Sequence, residues 1–177
     1  MMVLELGCGS RREYPGSIGV DKRMGSGADI VLDLEDTVLP FENDFFDLVY
    51  AAHVLEHIRN LDFVVREVYR VLKPGGVFRV VVPHFSGRAA VISPEHIRFF
   101  CMDSFKHYDP VFYDSGLGVD FMTEKIVLRW GSIGHPLKIL ASRFISFLGN
   151  LCPQFCERIW VYWVGGFEEV EYILRKK

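Results

Sequence analysis

The chain opens with an apolar run, Val3-Leu4-Glu5-Leu6, that leads straight into Gly7-Cys8-Gly9-Ser10. A buried strand followed by Gly-x-Gly brings backbone amides close to a nucleoside-type ligand, because a Cβ at those positions would stand in the ligand's way. Two more short apolar runs end in acids, Ile18-Gly19-Val20-Asp21 and Ile30-Val31-Leu32-Asp33-Leu34. A carboxylate at the tip of a neighbouring strand can accept hydrogen bonds from both hydroxyls of a ribose. In dinucleotide folds that acid stands about twenty residues past the glycines, and Asp21 comes sooner. His53 and His84, each following an apolar run, could take a proton from a hydroxyl or ammonium group presented at the same end of a sheet.

These residues need a scaffold that brings their ends together. Phe45 to His53 reads as a fourth buried strand, and Arg70 to Val82 as a helix end, a Pro74-Gly75-Gly76 turn and a fifth strand. Between them, Leu61, Val64, Val65, Val68 and Leu72 fall at helical spacing, with Asp62, Arg66, Glu67 and Arg70 on the other face. That spacing predicts one amphipathic helix ending before Pro74. Short Val/Ile/Leu-rich strands around a helix predict parallel strands buried on both faces, an α/β sandwich. A second helix is predicted from Ser93-Pro94-Glu95, with serine as cap and proline at the first helical position, to about Phe105. Val119 to Trp130 and Phe167 to Arg175 read as two further strands.

The order of these motifs resembles a class I S-adenosylmethionine-dependent methyltransferase of the small-molecule, type 11-like branch. The resemblance rests on Glu5-Leu6-Gly7-Cys8-Gly9, Asp21, Asp33, Leu39-Pro40-Phe41 before the fourth strand and Leu72-Lys73-Pro74-Gly75-Gly76 before the fifth, over roughly residues 2 to 83. It implies a Rossmann-like sandwich, a mostly parallel central sheet with an antiparallel last strand, and S-adenosylmethionine as cofactor. It also implies that Glu5, Gly7, Cys8 and Gly9 line the methionine end, that Asp21 with Lys22 beside it holds the ribose, and that Asp33 and the Leu34 amide meet the adenine edge. Ala51 contributes backbone, and Glu56 and His57 secure a turn. His84 and His53 are then the candidate catalytic residues. Methyl transfer is an in-line displacement in which alignment supplies much of the rate, so a dedicated base is optional.

Two features depart from that pattern. Only Ser10 to Ser17 separate Gly9 from the second strand, too few for the usual first crossover helix, so that helix is expected to be shortened or absent. Arg11 stands where a third glycine is common. The chain also opens on its first strand, so the site is expected to be open, or closed by another segment or a second subunit.

At 177 residues, half of them hydrophobic, the chain is expected to form one domain over 1–177. A net charge of -3 with no basic stripe argues against nucleic acid as a partner. Cys8, Cys101, Cys152 and Cys156 are too scattered for a disulfide framework, and no secretion signal is read at the N-terminus, so the expected compartment is the cytoplasm. Residues 131–165 form an apolar insertion, which Lys138, Arg143, Asn150, Pro153 and Arg158 interrupt too often for it to span a bilayer. Helices packed over the sheet are the expectation for it, ahead of a lid, a homodimer surface or a membrane-surface contact.

His53-Val54-Leu55-Glu56-His57 also matches His-x-x-Glu-His, a zinc-peptidase motif in inverted form. Zinc there needs both histidines on one long helix and a third ligand, whereas a strand ends just before His53 and Asn60-Leu61-Asp62 interrupts just after, so no metal is expected. The leading reading is a methyltransferase acting on an unidentified small molecule, with the aromatic stretch Phe99 to Tyr113 as acceptor wall. The alternative is a non-catalytic cofactor-binding or degenerate subunit acting through a protein partner. Turnover by the isolated chain separates the two.

Overall fold

The computed structural model describes residues 1–113, 116–131, 136–163 and 166–177. Its strands are β1 (Val3–Leu6), β2 (Ile18–Asp21), β3 (Ile30–Val31), β4 (Phe46–Ala52), β5 (Leu72–Pro83), β6 (Phe121–Arg129) and β7 (Glu169–Lys176). They form one sheet in the order β3-β2-β1-β4-β5-β7-β6. The first five run parallel, and β7 lies antiparallel between β5 and β6. This is the Rossmann-like methyltransferase sheet that the motif order implied.

Register decides where the chemistry gathers. Leu6 faces Val20 on one side and Ala51 on the other, and Asp21 faces Val31. The carboxyl ends of four parallel strands therefore meet at one edge, where open α/β sheets bind ligands.

Helix α1 (Leu61–Val71) is capped by Asn60, whose side chain accepts the Phe63 amide at 3.3 Å. Leu61, Val64, Val65, Val68 and Val71 are buried by it against the sheet. Leu72 already adopts an extended conformation, so the helix stops one residue before the predicted end and β5 starts at once. The register between β4 and β5 jumps there, from Phe46 opposite Leu72 to Leu48 opposite Val77, and Lys73 to Gly76 bulge out.

No helix joins β1 to β2. Residues 7–17 form turns, and two charged side chains replace the packing that a helix would give. The buried Glu5 carboxylate accepts the amides of Glu13 and Tyr14 at 3.0 and 2.8 Å and the Ser17 hydroxyl at 2.6 Å. Arg12 donates to the carbonyls of Ser17 and Gly27 and pairs with Asp29 at 2.9 Å. Its guanidinium fills the space beside Gly19, where a Cβ would come within 2.5 Å of the Arg12 Cζ.

The helix predicted from 93 to about 105 does not form. A short helix α2 (Arg88–Ile92) precedes that segment and a 3-10 turn (Ser104–Tyr108) ends it. Between them, the amides of Ile97 and Arg98 donate to the Glu56 carbonyl at 2.9 and 3.2 Å, and Phe100 bridges to His84. Those long-range bonds need an extended backbone, and they override the local cap signal.

In the apolar insertion, helix α3 (Pro136–Leu151) packs along β6; 132–135 and 164–165 lie outside the described residues. The Asn150 amide accepts the Leu128 N–H at 3.0 Å and donates to its carbonyl at 2.8 Å, so a helical side chain covers the open strand edge. Short helical turns follow, including the π-turn Cys156–Trp160. Among the described residues no helix is long and apolar enough to cross a membrane.

Candidate functional site

At the carboxyl ends of β1, β2 and β4 lies a cleft of about 220 Å³ bounded by Gly7, Asp21, Lys22, Asp33, Leu34 and His53. Six of the predicted site residues thus share one opening. Gly7 adopts φ +61°, and a Cβ there would stand 2.7 Å from the Val54 side chain, so only glycine lets the turn close over the cleft floor.

Asp21 is buried. Its carboxylate accepts the amides of Gly9 and Arg23, both at 2.9 Å, and the Arg23 guanidinium closes on it at 3.1 and 3.3 Å. Burial pushes its pKa up, but the Arg23 side chain and the two amides outweigh that and hold it below the ordinary carboxylate range. An anion with fixed orientation results. The Gly9 amide is consequently turned toward Asp21, and Gly9 does not border the cleft.

Asp33 is exposed, two residues beyond the end of β3, and among the described residues takes only the Glu35 amide, at 3.0 Å. Among the described residues the Leu34 amide makes no hydrogen bond. An acceptor and a free donor, one residue apart, therefore border the same cleft.

His53 follows β4 in the left-handed region at φ 52°, a conformation that costs a non-glycine residue of order 1 kcal/mol or more. Its amide is held by the Val81 carbonyl at 2.9 Å, and its ring lies between two acids, Nε2 at 3.2 Å from Glu169 and Nδ1 at 3.6 Å from Glu56. Glu169 and then Glu56 favour the imidazolium and raise the pKa to about 9. Both ring nitrogens are turned toward carboxylates, and at neutral pH the ring is a donor.

Other predicted residues lie away from the opening. His84 is fully buried: Nε2 faces Glu157 at 3.1 Å and Nδ1 the Ser86 hydroxyl at 2.6 Å. A carboxylate only accepts, so Nε2 carries a proton, Nδ1 accepts from Ser86, and neither nitrogen reaches a substrate. Glu5 is committed to the 13–17 turn, as described above. Cys8 packs inward with its amide on the Val20 carbonyl at 3.2 Å, and burial pushes its thiol pKa up. Ala51 is fully buried within the sheet between Leu6 and Val80. In the expected acceptor wall, Phe100, Phe105 and Tyr108 are core residues, whereas Phe99, Phe112 and Tyr113 are exposed and do not border the cleft.

Sequence reasoning missed Arg23, Val54, His57 and Glu95 on the cleft walls. Arg23 was findable as the cation two residues past the predicted ribose acid. Glu35 accepts the Arg59 amide at 3.0 Å and so ties the far wall to the loop before α1.

Residues 13–80 match the family described as methyltransferase domain. The chain is 55% identical over 42 residues to a sterol 4-C-methyltransferase of Caenorhabditis elegans, a match covering 24% of this chain and 13% of that protein. It is 36% identical over 66 residues to a ubiquinone/menaquinone biosynthesis C-methyltransferase of Neisseria meningitidis, covering 37% of this chain and 27% of that one. The matches thus span about an eighth to a quarter of those relatives' lengths. The structure of an S-adenosylmethionine-dependent methyltransferase from Archaeoglobus fulgidus superimposes with a TM-score of 0.63 at 18% identity, over 99% of this chain and 86% of that one. Residues 13–80 thus match a methyltransferase domain, and the fold is the one found in the Archaeoglobus fulgidus S-adenosylmethionine-dependent methyltransferase.

Proposed function

We propose that the chain binds S-adenosylmethionine in the cleft at the ends of β1, β2 and β4 and transfers its methyl group to a small-molecule acceptor. The observation that carries this is the placement of the Asp21 and Asp33 carboxylates and the Gly7 turn around one 220 Å³ opening. The residues fit the group. Asp21 is a fixed anion for paired ribose hydroxyls, and the Asp33 carboxylate with the Leu34 amide offers the acceptor and donor that an adenine edge requires. When bound, S-adenosylmethionine supplies an electrophilic methyl on a sulfonium, transferable in line to a nucleophile without a covalent enzyme intermediate.

Arg23 has to leave Asp21 for the ribose hydroxyls to reach it. Its side chain is 67% exposed, so the displaced guanidinium is solvated by water and the exchange costs little. His84 is sequestered and both nitrogens of His53 face acids, so the chain's contribution to transfer is alignment.

Turnover is tested with the isolated chain by following formation of S-adenosylhomocysteine. The acceptor panel starts with sterols and ubiquinone/menaquinone precursors, the compounds in the names of the two relatives. Acceptor-dependent product is the expected result. Tight cofactor binding with no turnover on any acceptor would instead support a non-catalytic subunit.

A further inference from the structure

We propose that Glu56, His57 and His96 form a binding site for a divalent transition-metal cation of the zinc class at the rim of the cleft. One ligand atom from each of the three lies within 4.8 Å of the other two. Tetrahedral zinc with bonds of about 2.0–2.2 Å separates its ligands by about 3.4 Å, a closure that side-chain rotation can supply.

The Glu56 carboxylate points to a ligand independently of this spacing. Glu56 is 1% exposed, and neither of its carboxylate oxygens has a hydrogen-bond partner among the described residues. His53 Nδ1 stands 3.6 Å away, close enough to balance charge but beyond hydrogen-bond distance. His53 therefore offsets the charge but leaves both buried oxygens without a donor, and a bound cation would supply the missing partner.

The histidines are prepared for the same role. His57 Nδ1 lies 3.2 Å from the Glu95 carbonyl and His96 Nδ1 lies 3.2 Å from the Ala90 carbonyl. A carbonyl only accepts, so each Nδ1 carries the proton and each Nε2 keeps its lone pair. That is the arrangement in which a backbone carbonyl orients a metal-ligating imidazole. The two rings are 4.7 Å apart at 72°. The segments that carry them are fastened together, since the Ile97 and Arg98 amides donate to the Glu56 carbonyl.

This is not the His-x-x-Glu-His pair that the sequence suggested. His53 is turned toward Glu169, and the histidine that joins Glu56 and His57 is His96, from a loop about forty residues away. Two nitrogens and one carboxylate suit zinc and its neighbours better than magnesium or calcium, which prefer all-oxygen sets. Three protein ligands leave a fourth position for water or an acceptor oxygen, and His57 also borders the cleft.

The test uses the chelator-stripped protein titrated with cobalt(II) chloride, read by its visible absorption, and then with zinc chloride as competitor. One equivalent of cobalt is expected to bind and to be displaced by zinc. His96→Ala and Glu56→Gln are expected to weaken binding by at least about tenfold, whereas His107→Ala, an exposed histidine outside the cluster, leaves it unchanged. Unfolding midpoints without metal check that each variant folds. Wild-type protein that takes up no cobalt, or binding equal in wild type and folded His96→Ala, would overturn the proposal.

Discussion

The Glu5 carboxylate accepts the Tyr14 amide at 2.8 Å, and through that bond a side chain on the first strand holds the turn that stands where a crossover helix would be. With the Glu13 amide and the Ser17 hydroxyl also on it, one buried acid holds residues 13–17 of the connection between β1 and β2. Glu5→Ala orphans two amides and a hydroxyl. Hydrogen bonds to a charged group contribute about 1.5–3 kcal/mol each, and the combined loss is expected to be about 3 kcal/mol or more. Urea unfolding of wild type and variant measures it; a loss under about 1 kcal/mol would show that the turn holds without Glu5.

A second acid secures the far side of the sheet and gives stability a pH dependence. Glu171 on β7 pairs with Arg79 on β5 at 2.5 Å and with Arg129 on β6. Burial pushes its pKa up, but Arg129 and Arg79 together hold it below the usual glutamate range. A depressed carboxylate stabilises the fold above its unfolded pKa, about 4.3, and that contribution is lost as pH falls through the lower folded value. Glu171→Gln is therefore expected to cost about 3 kcal/mol at pH 7. The gap from wild type should narrow below about pH 4, and a gap independent of pH would contradict the assignment.

Arg23 competes with the ribose for Asp21 and adds positive charge to the cleft. Arg23→Ala is expected to tighten S-adenosylmethionine binding by about threefold and to affect the uncharged-sulfur product less, since only the former carries a sulfonium. Calorimetric titration with both compounds gives the ratio. Weaker binding of both in the variant would mean that Arg23 grips the ligand instead.

Gly7 at φ +61° leaves no room for a methyl group beside Val54. Gly7→Ala should lower stability by about 1–3 kcal/mol from the left-handed backbone and the 2.7 Å contact together. Gly7→Ala combined with Val54→Gly, which also removes the Val54 Cβ 2.8 Å away, should recover the contact but not the backbone share. Full recovery in the double variant would locate the whole effect in the contact.

The strand and acid pattern was legible because it is local: Val3 to Gly9, Ile18 to Asp21 and Phe46 to His53 each state their structure within a few residues. The missing crossover helix was legible from the eight residues available for it. What could not be read depends on partners far along the chain. His84 looks like a base at a strand tip until Glu157, 73 residues later, occupies one nitrogen. Ser93-Pro94-Glu95 looks like a helix start until Glu56 takes the amides of Ile97 and Arg98. No sequence pattern singles out His96 for the same reason: its ring partner His57 lies 39 residues earlier, and only the fold brings the two together.

Calorimetric titration of the purified chain with S-adenosylmethionine, beside Asp21→Ala and Asp33→Ala, tests the central claim most directly. Asp33 holds only one local amide, so its variant keeps the fold even if loss of Asp21 loosens the Gly9 turn. Wild type is expected to bind at micromolar concentration, with binding abolished in Asp21→Ala and weakened about tenfold or more in Asp33→Ala. Folded wild-type protein that binds neither S-adenosylmethionine nor its demethylated product, or binding untouched by both substitutions, would contradict it.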